Sequence, residues 1–258
     1  MTKVLAFGDD RSPEADRCWD WIVAHEWEGW RLEIVTADPS ADMRPVGPEE
    51  AELHVWRPEQ PRAAEGHGFD TVENLRARVD PRLALISKPW DLVAIGPRGS
   101  GMLKSLHLGS TADWLMREPA SPVLVARRVG KVARALVAAD GSAHSMRAVE
   151  TLASFPWLPG VSVEVVAVDD GRVDVDSALE QVMAVLSSTG AAIETATLTG
   201  RPTRTLIGRI ETSQPDLVVM GVRGLGGVKR LVVGSTTAAI TGSTDRSVLV
   251  AHAATRDS

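Results

Sequence analysis

Gly221-Val222-Arg223-Gly224, followed after nine residues by Gly234-Ser235-Thr236, decides how this chain folds. An apolar run, Asp216-Leu217-Val218-Val219-Met220, leads into it, and Thr237-Ala238-Ala239-Ile240 leaves it as a helix. The same arrangement stands 125 residues earlier. There Gly96-Pro97-Arg98-Gly99 follows Asp91-Leu92-Val93-Ala94-Ile95, and Gly109-Ser110-Thr111 comes after the same nine-residue interval. A strand, a glycine loop and then Gly-Ser at a helix start is an arrangement that holds phosphate, because free helix amides and the helix dipole converge there.

Working outward, both flanks repeat the same alternation. In the first half, Lys3–Gly8 reads as a buried strand ended by Asp9 and Asp10. Ser12-Pro13 opens a helix with Ala15, Cys18, Trp19, Ile22 and Val23 on one face. Strands follow at Trp30–Ala37, Val72–Val79, Asp91–Ile95 and Pro122–Ala126. Residues 38–70 are rich in Pro, Gly and Glu and read as an irregular connection, a lid or a partner surface; Ala51–Trp56 within it is one helical turn or a short extended piece. After a linker at Arg127–Lys131, strands recur at Ala135–Ala139, Val161–Val168, Ile193–Leu198, Asp216–Met220 and Ser247–Ala251, with helices between them. Strands alternating with helices imply a parallel sheet covered on both faces. The expected fold class is α/β: two tandem five-stranded doubly wound parallel sheets, strand order 3-2-1-4-5, of the flavodoxin/Rossmann-like nucleotide-binding type. The expected domains are residues 1–128 and 131–258.

In that order strands 1 and 4 of each half are neighbours across a switch point, where ligands bind. Two features meet there in each half. One is the aspartate closing strand 1: Asp140 in the second half, Asp9 (or Asp10) in the first. The other is the glycine loop with its helix start: Gly221, Gly224, Gly234, Ser235 and Thr236 in the second half, and Gly96, Gly99, Gly109, Ser110 and Thr111 in the first. Glycines let backbone approach an anion, the hydroxyls add donors, and a carboxylate suits ribose hydroxyls. Arg98 and Arg223 match each other inside the loops and are candidate phosphate contacts. Lys104 and Lys229 are candidates too, or solvated loop charges.

Composition narrows the alternatives. Net charge is −6, split −5 over residues 1–129 and −1 beyond, so neither half has the basic excess of a nucleic-acid binder. No apolar run reaches the roughly 18 residues a bilayer span needs. The first ten residues enter a strand at once without a signal-peptide layout, and Cys18 is the single cysteine; a cytoplasmic protein is expected.

The pattern Val137-Ala138-Ala139-Asp140-Gly141-Ser142, then Gly221-x-x-Gly224, nine residues, and Gly234-Ser235, resembles the universal stress protein family. The first half is similar at Gly96-x-x-Gly99 and Gly109-Ser110. The resemblance implies an ATP-binding subclass in which the aspartate meets the ribose, the loop wraps the triphosphate, and backbone near Val168 meets adenine. It also implies pairing through the last strands, Pro122–Ala126 with Ser247–Ala251, and homodimers of the whole chain are compatible with it. The first half departs from the pattern. Gly8-Asp9-Asp10-Arg11-Ser12 reads as one residue too long, its second helix is missing or remodelled, and Pro97 has no N–H to give. The second half is therefore the expected tighter site.

Other chemistry is weakly supported. Neither loop closes in the Gly-Lys-Ser/Thr of a P-loop. Ser142 and His144 read as a helix cap, since no Gly-x-Ser-x-Gly elbow surrounds them. The histidines show no metal spacing, so Mg²⁺ enters only with a nucleotide. Seven of eight tryptophans fall in the first half, as core packing or as an interaction surface. The expectation is an ATP-binding stress-response regulator, at most a slow ATPase; the alternative is a nucleotide-independent scaffold built as a pseudo-dimer.

Overall fold

A computed structural model describes residues 2–37, 52–98, 108–118, 121–224 and 233–253. The first half runs β1 (Lys3–Gly8), α1 (Pro13–Val23), β2 (Trp30–Ala37), β3 (His54–Val55), β4 (Thr71–Ala77), α2 (Pro81–Ala84), β5 (Leu92–Ile95), α3 (Ser110–Leu115) and β6 (Val123–Val125). The second runs β7 (Arg134–Ala139), α4 (Ala143–Ala153), β8 (Ser162–Asp169), α5 (Val175–Leu186), β9 (Ala192–Thr199), α6 (Pro202–Ser213), β10 (Leu217–Gly221), α7 (Ser235–Ser243) and β11 (Ser247–Ala251).

The central strands are fully buried runs, Leu92–Ile95 and Leu217–Gly221 among them, because helices cover both faces of the sheet. Ser12 and Ser142 start α1 and α4 by accepting the Ala15 and Ser145 amides at 3.1 and 3.2 Å. The expected two sheets are one. All eleven strands form a single sheet in the order β3-β4-β2-β1-β5-β6-β11-β10-β7-β8-β9. Every pairing within a half is parallel except β3 on β4. The seam is antiparallel, with Leu249 opposite Leu124. Strands that would have been edges satisfy each other there, which is why the two sheets merge. Of the stretch Ala51–Trp56, Ala51 lies outside the described residues, and the extended reading holds at His54–Val55, which form β3. Among the described residues no helix stands between β2 and β4.

Two apolar layers cover the sheet. One carries α1, α4 and α5, the other α2, α3, α6 and α7, and each runs through both halves. On the first layer the tryptophans find their purpose. Trp21, Trp27 and Trp30 are buried; they pack on one another and on Phe155 and Trp157 of the other half. Trp27 packs on Phe155 at 5.6 Å, while His25 packs on Trp157 at 4.3 Å. Positions 25 and 155, and 27 and 157, are equivalent, so this is a self-complementary contact about a pseudo-twofold axis. Polar bonds fasten it: Trp30 Nε1 donates to Ser154 O at 3.3 Å, and the Val132 amide donates to His25 Nε2 at 3.0 Å.

Burial pushes His25 down to about 4 from 6.5. It is neutral in the fold and its Nε2 must stay bare to accept Val132. The unfolded chain therefore binds a proton that the folded chain refuses between pH 6.5 and 4, and stability falls as pH falls through that window. His25→Gln keeps an acceptor and a donor without the titration. Its unfolding free energy, and with it Tm, should fall less between pH 6.5 and 4 than the parent's, the free energies differing by up to about 1.4 kcal/mol per pH unit. Parallel Tm-against-pH curves would contradict the assignment.

Candidate functional site

The carboxyl ends of β7 and β10 open into a cavity of about 710 Å³. Asp140, Val168, Gly221, Arg223, Gly224, Gly234, Ser235 and Thr236 all line it. Its inner wall is apolar, with Val166, Val168, Leu206, Met220 and Val233. One rim is Asp140, whose Oδ1 accepts the Ser142 amide at 3.0 Å. The other rim is the first turn of α7. Gly234 caps α7 without a side-chain bond, so the first-turn amides face the cavity with the helix dipole behind them.

The glycines divide by task. A Cβ on Gly221 would lie 2.6 Å from the Ser145 nitrogen and 2.8 Å from the His144 carbonyl carbon. Gly221 thus lets β10 pass the first turn of α4. A Cβ on Gly224 would instead lie 2.6 Å from Asp140 Oδ2, so Gly224 keeps the space beside the carboxylate open. Gly234 fixes the loop, its amide donating to Val222 O at 2.8 Å.

Sequence reading missed Thr203, Asp170 and Arg172, which also line the cavity. Thr203 Oγ1 and Thr236 Oγ1 share a hydrogen bond of 2.8 Å, tying the first turns of α6 and α7 together. The available signal was Pro202 after a strand: a helix beginning there starts at the same sheet edge as α7.

The first half has a counterpart cavity of about 440 Å³, lined by Asp9, Asp10, Gly96, Arg98, Gly109, Ser110 and Thr111 among others. Gly99, Lys104, His107 and Lys229 lie outside the described residues. Strand register corrects the alignment of the halves. Phe7 stands opposite Ala94 and Val137 opposite Val219. Since β5 and β10 are 125 residues apart, β1 and β7 are 130 apart, and no residue is extra. The counterpart of Asp140 is Asp10. Turn geometry agrees, for the Ser12 amide donates to Asp10 Oδ1 at 3.0 Å just as Ser142 does to Asp140. Between them Arg11 takes the left-handed place of Gly141, with φ 58° against 72°, at a cost of about 1–2 kcal/mol for a side-chain-bearing residue.

Asp9, expected to face the ligand, stands where the second half has Ala139 and turns to the α1 side. Its carboxylate is fully occluded. Arg62 closes on it as a fork, Nε to Oδ2 at 2.9 Å and Nη2 to Oδ1 at 2.7 Å, and also holds Asp16 at 2.7 Å. The Arg62 guanidinium sits 5.8 Å from the Phe7 ring centre and 5.9 Å from that of Trp19. Residues 52–70 therefore supply a charged plug over α1, on the face where the second half packs α5. Arg98 is engaged as well, by Glu14 at 3.0 Å.

The absent N–H of Pro97 proves immaterial. Its counterpart Val222 donates to Ala251 O at 2.9 Å, so neither position offers an amide to the cavity. Ser142 is the helix cap expected of it, and His144 Nδ1 accepts the Ala253 amide at 2.8 Å. Among the described residues no group of three metal-ligating side chains occurs, and no helix is long and apolar enough to cross a membrane.

The larger cavity lies wholly inside one stretch that can be compared with known proteins. Residues 131–252 match the model of the universal stress protein family. Universal stress proteins are also the curated relatives. One from Synechocystis sp. is 28% identical over 164 residues, 62% of this chain and 57% of that protein. One from Mycobacterium tuberculosis is 32% identical over 187 residues, 63% of this chain and 62% of that protein. The chain thus spans less than two thirds of these relatives. In solved structures, a universal stress protein of Archaeoglobus fulgidus superposes with a TM-score of 0.64 at 18% identity, covering 98% of this chain and 97% of its own. A Pseudomonas aeruginosa protein gives 0.57 at 14%, covering 97% and 93%. These two likenesses concern the fold alone.

Proposed function

We propose that the chain is a tandem universal stress protein, with domains at residues 1–128 and 131–258, that binds ATP in the second-half cavity and acts as a stress-response regulator. The observation that carries this reading is the pairing of the Asp140 carboxylate on one rim with a helix start that has no side-chain cap on the other, across an apolar wall. Asp140 would hold the ribose hydroxyls, and Val168 with its apolar neighbours would flank adenine. The α7 amides and the Ser235 and Thr236 hydroxyls would hold phosphates, with Arg223 at the loop. Any Mg²⁺ would ride on those phosphates. The bound nucleotide supplies charge and shape; the cavity's own contribution is to bind and orient it.

The first half supports a second reading for itself. Its plug and its smaller cavity favour a structural partner that completes the pseudo-dimer over a nucleotide site of equal strength. A cytoplasmic location and homodimers of the whole chain stay within this proposal.

Calorimetric titration with ATP and Mg²⁺ tests it. The expected result is saturable binding that Asp140→Ala, Gly224→Val and Gly234→Val each weaken at least about tenfold, or 1.4 kcal/mol. Asp10→Ala should change it far less. Binding that survives all three second-half changes, or that Asp10→Ala weakens more than Asp140→Ala, would overturn the placement.

A further inference from the structure

The seam between the halves carries two crossed hydrogen bonds related by the pseudo-twofold axis. Residues 127 and 252 are equivalent, each just beyond the last strand of its half. Arg127 Nη2 donates to Thr241 O at 2.6 Å, and His252 Nε2 donates to Met116 O at 2.9 Å. Thr241 and Met116 are themselves equivalent. Thr241 lies in the last turn of α7, whose first turn lines the second-half cavity. Met116 caps the end of α3, whose first turn lines the first-half cavity. End-of-helix carbonyls lack intrahelical partners, and here each finds its partner in the opposite half.

The loop arginines act on these two residues through their charge. Arg98, inside the first glycine loop, is paired with Glu14, and both act electrostatically on Arg127. Arg223, inside the second loop, acts on His144 and His252, whose rings stand 5.9 Å apart. Positions 14 and 144 are equivalent too, so the whole relay is duplicated: loop arginine, first helical turn, residue after the last strand, opposite cavity helix.

Burial holds His252 down to about 4. It is neutral at neutral pH, with its proton on Nε2 because a carbonyl can only accept. Burial, then the charge of Arg98, pulls Arg127 down to about 10, still cationic. Both bonds persist across the physiological range.

We propose that Arg127 and His252 are crossed positioning residues, each fixing the far end of the helix that lines the other half's cavity, so that the two cavities are energetically linked. Whatever moves a loop arginine in one half shifts the phosphate-side helix of the other, and by linkage the effect is reciprocal. A chain carrying only the second half would have the lining residues without the bond that sets α7.

Amide hydrogen exchange on the full chain tests the placement without any ligand. In Arg127→Met, exchange over residues 235–243 should rise about tenfold through local opening, while residues 143–153 stay as in the parent. His252→Phe should do the same to residues 110–115. Arg127→Lys, which keeps a donor for Thr241, should restore protection. Trp30→Phe, which loosens the seam through Ser154, should leave α7 protected. Unchanged α7 exchange in Arg127→Met, or an equal rise in Trp30→Phe, would overturn the proposal.

The titration arm rests on the nucleotide reading above. Arg127→Met should weaken ATP about three- to tenfold, up to 1.4 kcal/mol, and Arg127→Lys should recover it. Faster α7 exchange with unchanged affinity would also sink the positioning role. If the parent chain binds no nucleotide, the functional reading falls while exchange still decides the placement of these two residues.

Discussion

Arg62→Met should lower the unfolding free energy by about 3–5 kcal/mol, the cost of stripping a buried charge of its partner. Asp9 has a fully occluded side chain, and Arg62 supplies two of its contacts at 2.7 and 2.9 Å. Without the fork, the carboxylate's partner among the described residues is Arg11, through its amide at 3.0 Å and a half-exposed guanidinium at 3.1 Å. For a chain of this size Tm should drop on the order of 10 °C. The decisive comparison is the double variant. Asp9→Ala/Arg62→Met removes both charges and recreates the alanine that the second half carries at position 139. Replacing a buried ion pair with apolar groups is often close to neutral, so the double variant should return to within about 1 kcal/mol of the parent. If it stays as unstable as Arg62→Met, the plug acts through packing on Phe7 and Trp19 instead of through charge.

This pair also marks the boundary of what the sequence makes legible. Strands such as Leu92–Ile95 announce themselves because a strand buried on both faces is a continuous apolar run. The glycine loops announce themselves because 125 residues separate two copies of one spacing. These are local patterns. Arg62 and Asp9 are 53 residues apart, Arg62 lies in a segment with no period of either kind, and nothing local says that an arginine there seeks an aspartate at a strand end. The equivalence of Asp10 and Asp140 was hidden differently. Motif matching aligned the first aspartate after the strand, while register, a property of the paired backbone, aligns the second. One residue of slip exchanges the faces of a strand, and with them the ligand-facing carboxylate and the sealed one. The tryptophan excess was visible as composition, but its partners Phe155 and Trp157 lie in the other half, so only the folded seam gives it meaning. Thr203 lacked a motif entirely; it enters the cavity because α6 and α7 start at the same sheet edge.

Gly221→Ala should be the most damaging of the loop changes, and for a reason unrelated to ligand. Its Cβ would stand 2.6 Å from the Ser145 nitrogen, and both that atom and the His144 carbonyl are helix backbone that cannot rotate away. Overpacking of this kind costs about 1–3 kcal/mol and more where backbone must move, so a loss of about 3 kcal/mol or greater is expected, and Gly221→Val should prevent the second half from folding. Gly96→Ala should behave alike in the first half, meeting Glu14 O at 2.6 Å. Gly208→Ala supplies the contrast. It sits within α6 with nothing inside 4 Å of the added carbon, and should gain about 0.5–1 kcal/mol. Gly224→Val differs in kind, because the atom it meets is the tip of the Asp140 side chain, which can swing away at little cost to folding but not without leaving the cavity rim. Thermal unfolding with and without ATP separates the two glycines. A ligand at 100 times its Kd stabilises its folded partner by about 2.7 kcal/mol. Gly221→Ala should melt far lower than the parent yet still gain Tm on adding nucleotide. Gly224→Val should melt near the parent and gain little. If Gly221→Ala melts within about 2 °C of the parent, less than 1 kcal/mol, the α4 turn yields freely and the first glycine of the loop has no structural claim. If Gly224→Val gains as much Tm as the parent, the space beside Asp140 is not where the nucleotide lies.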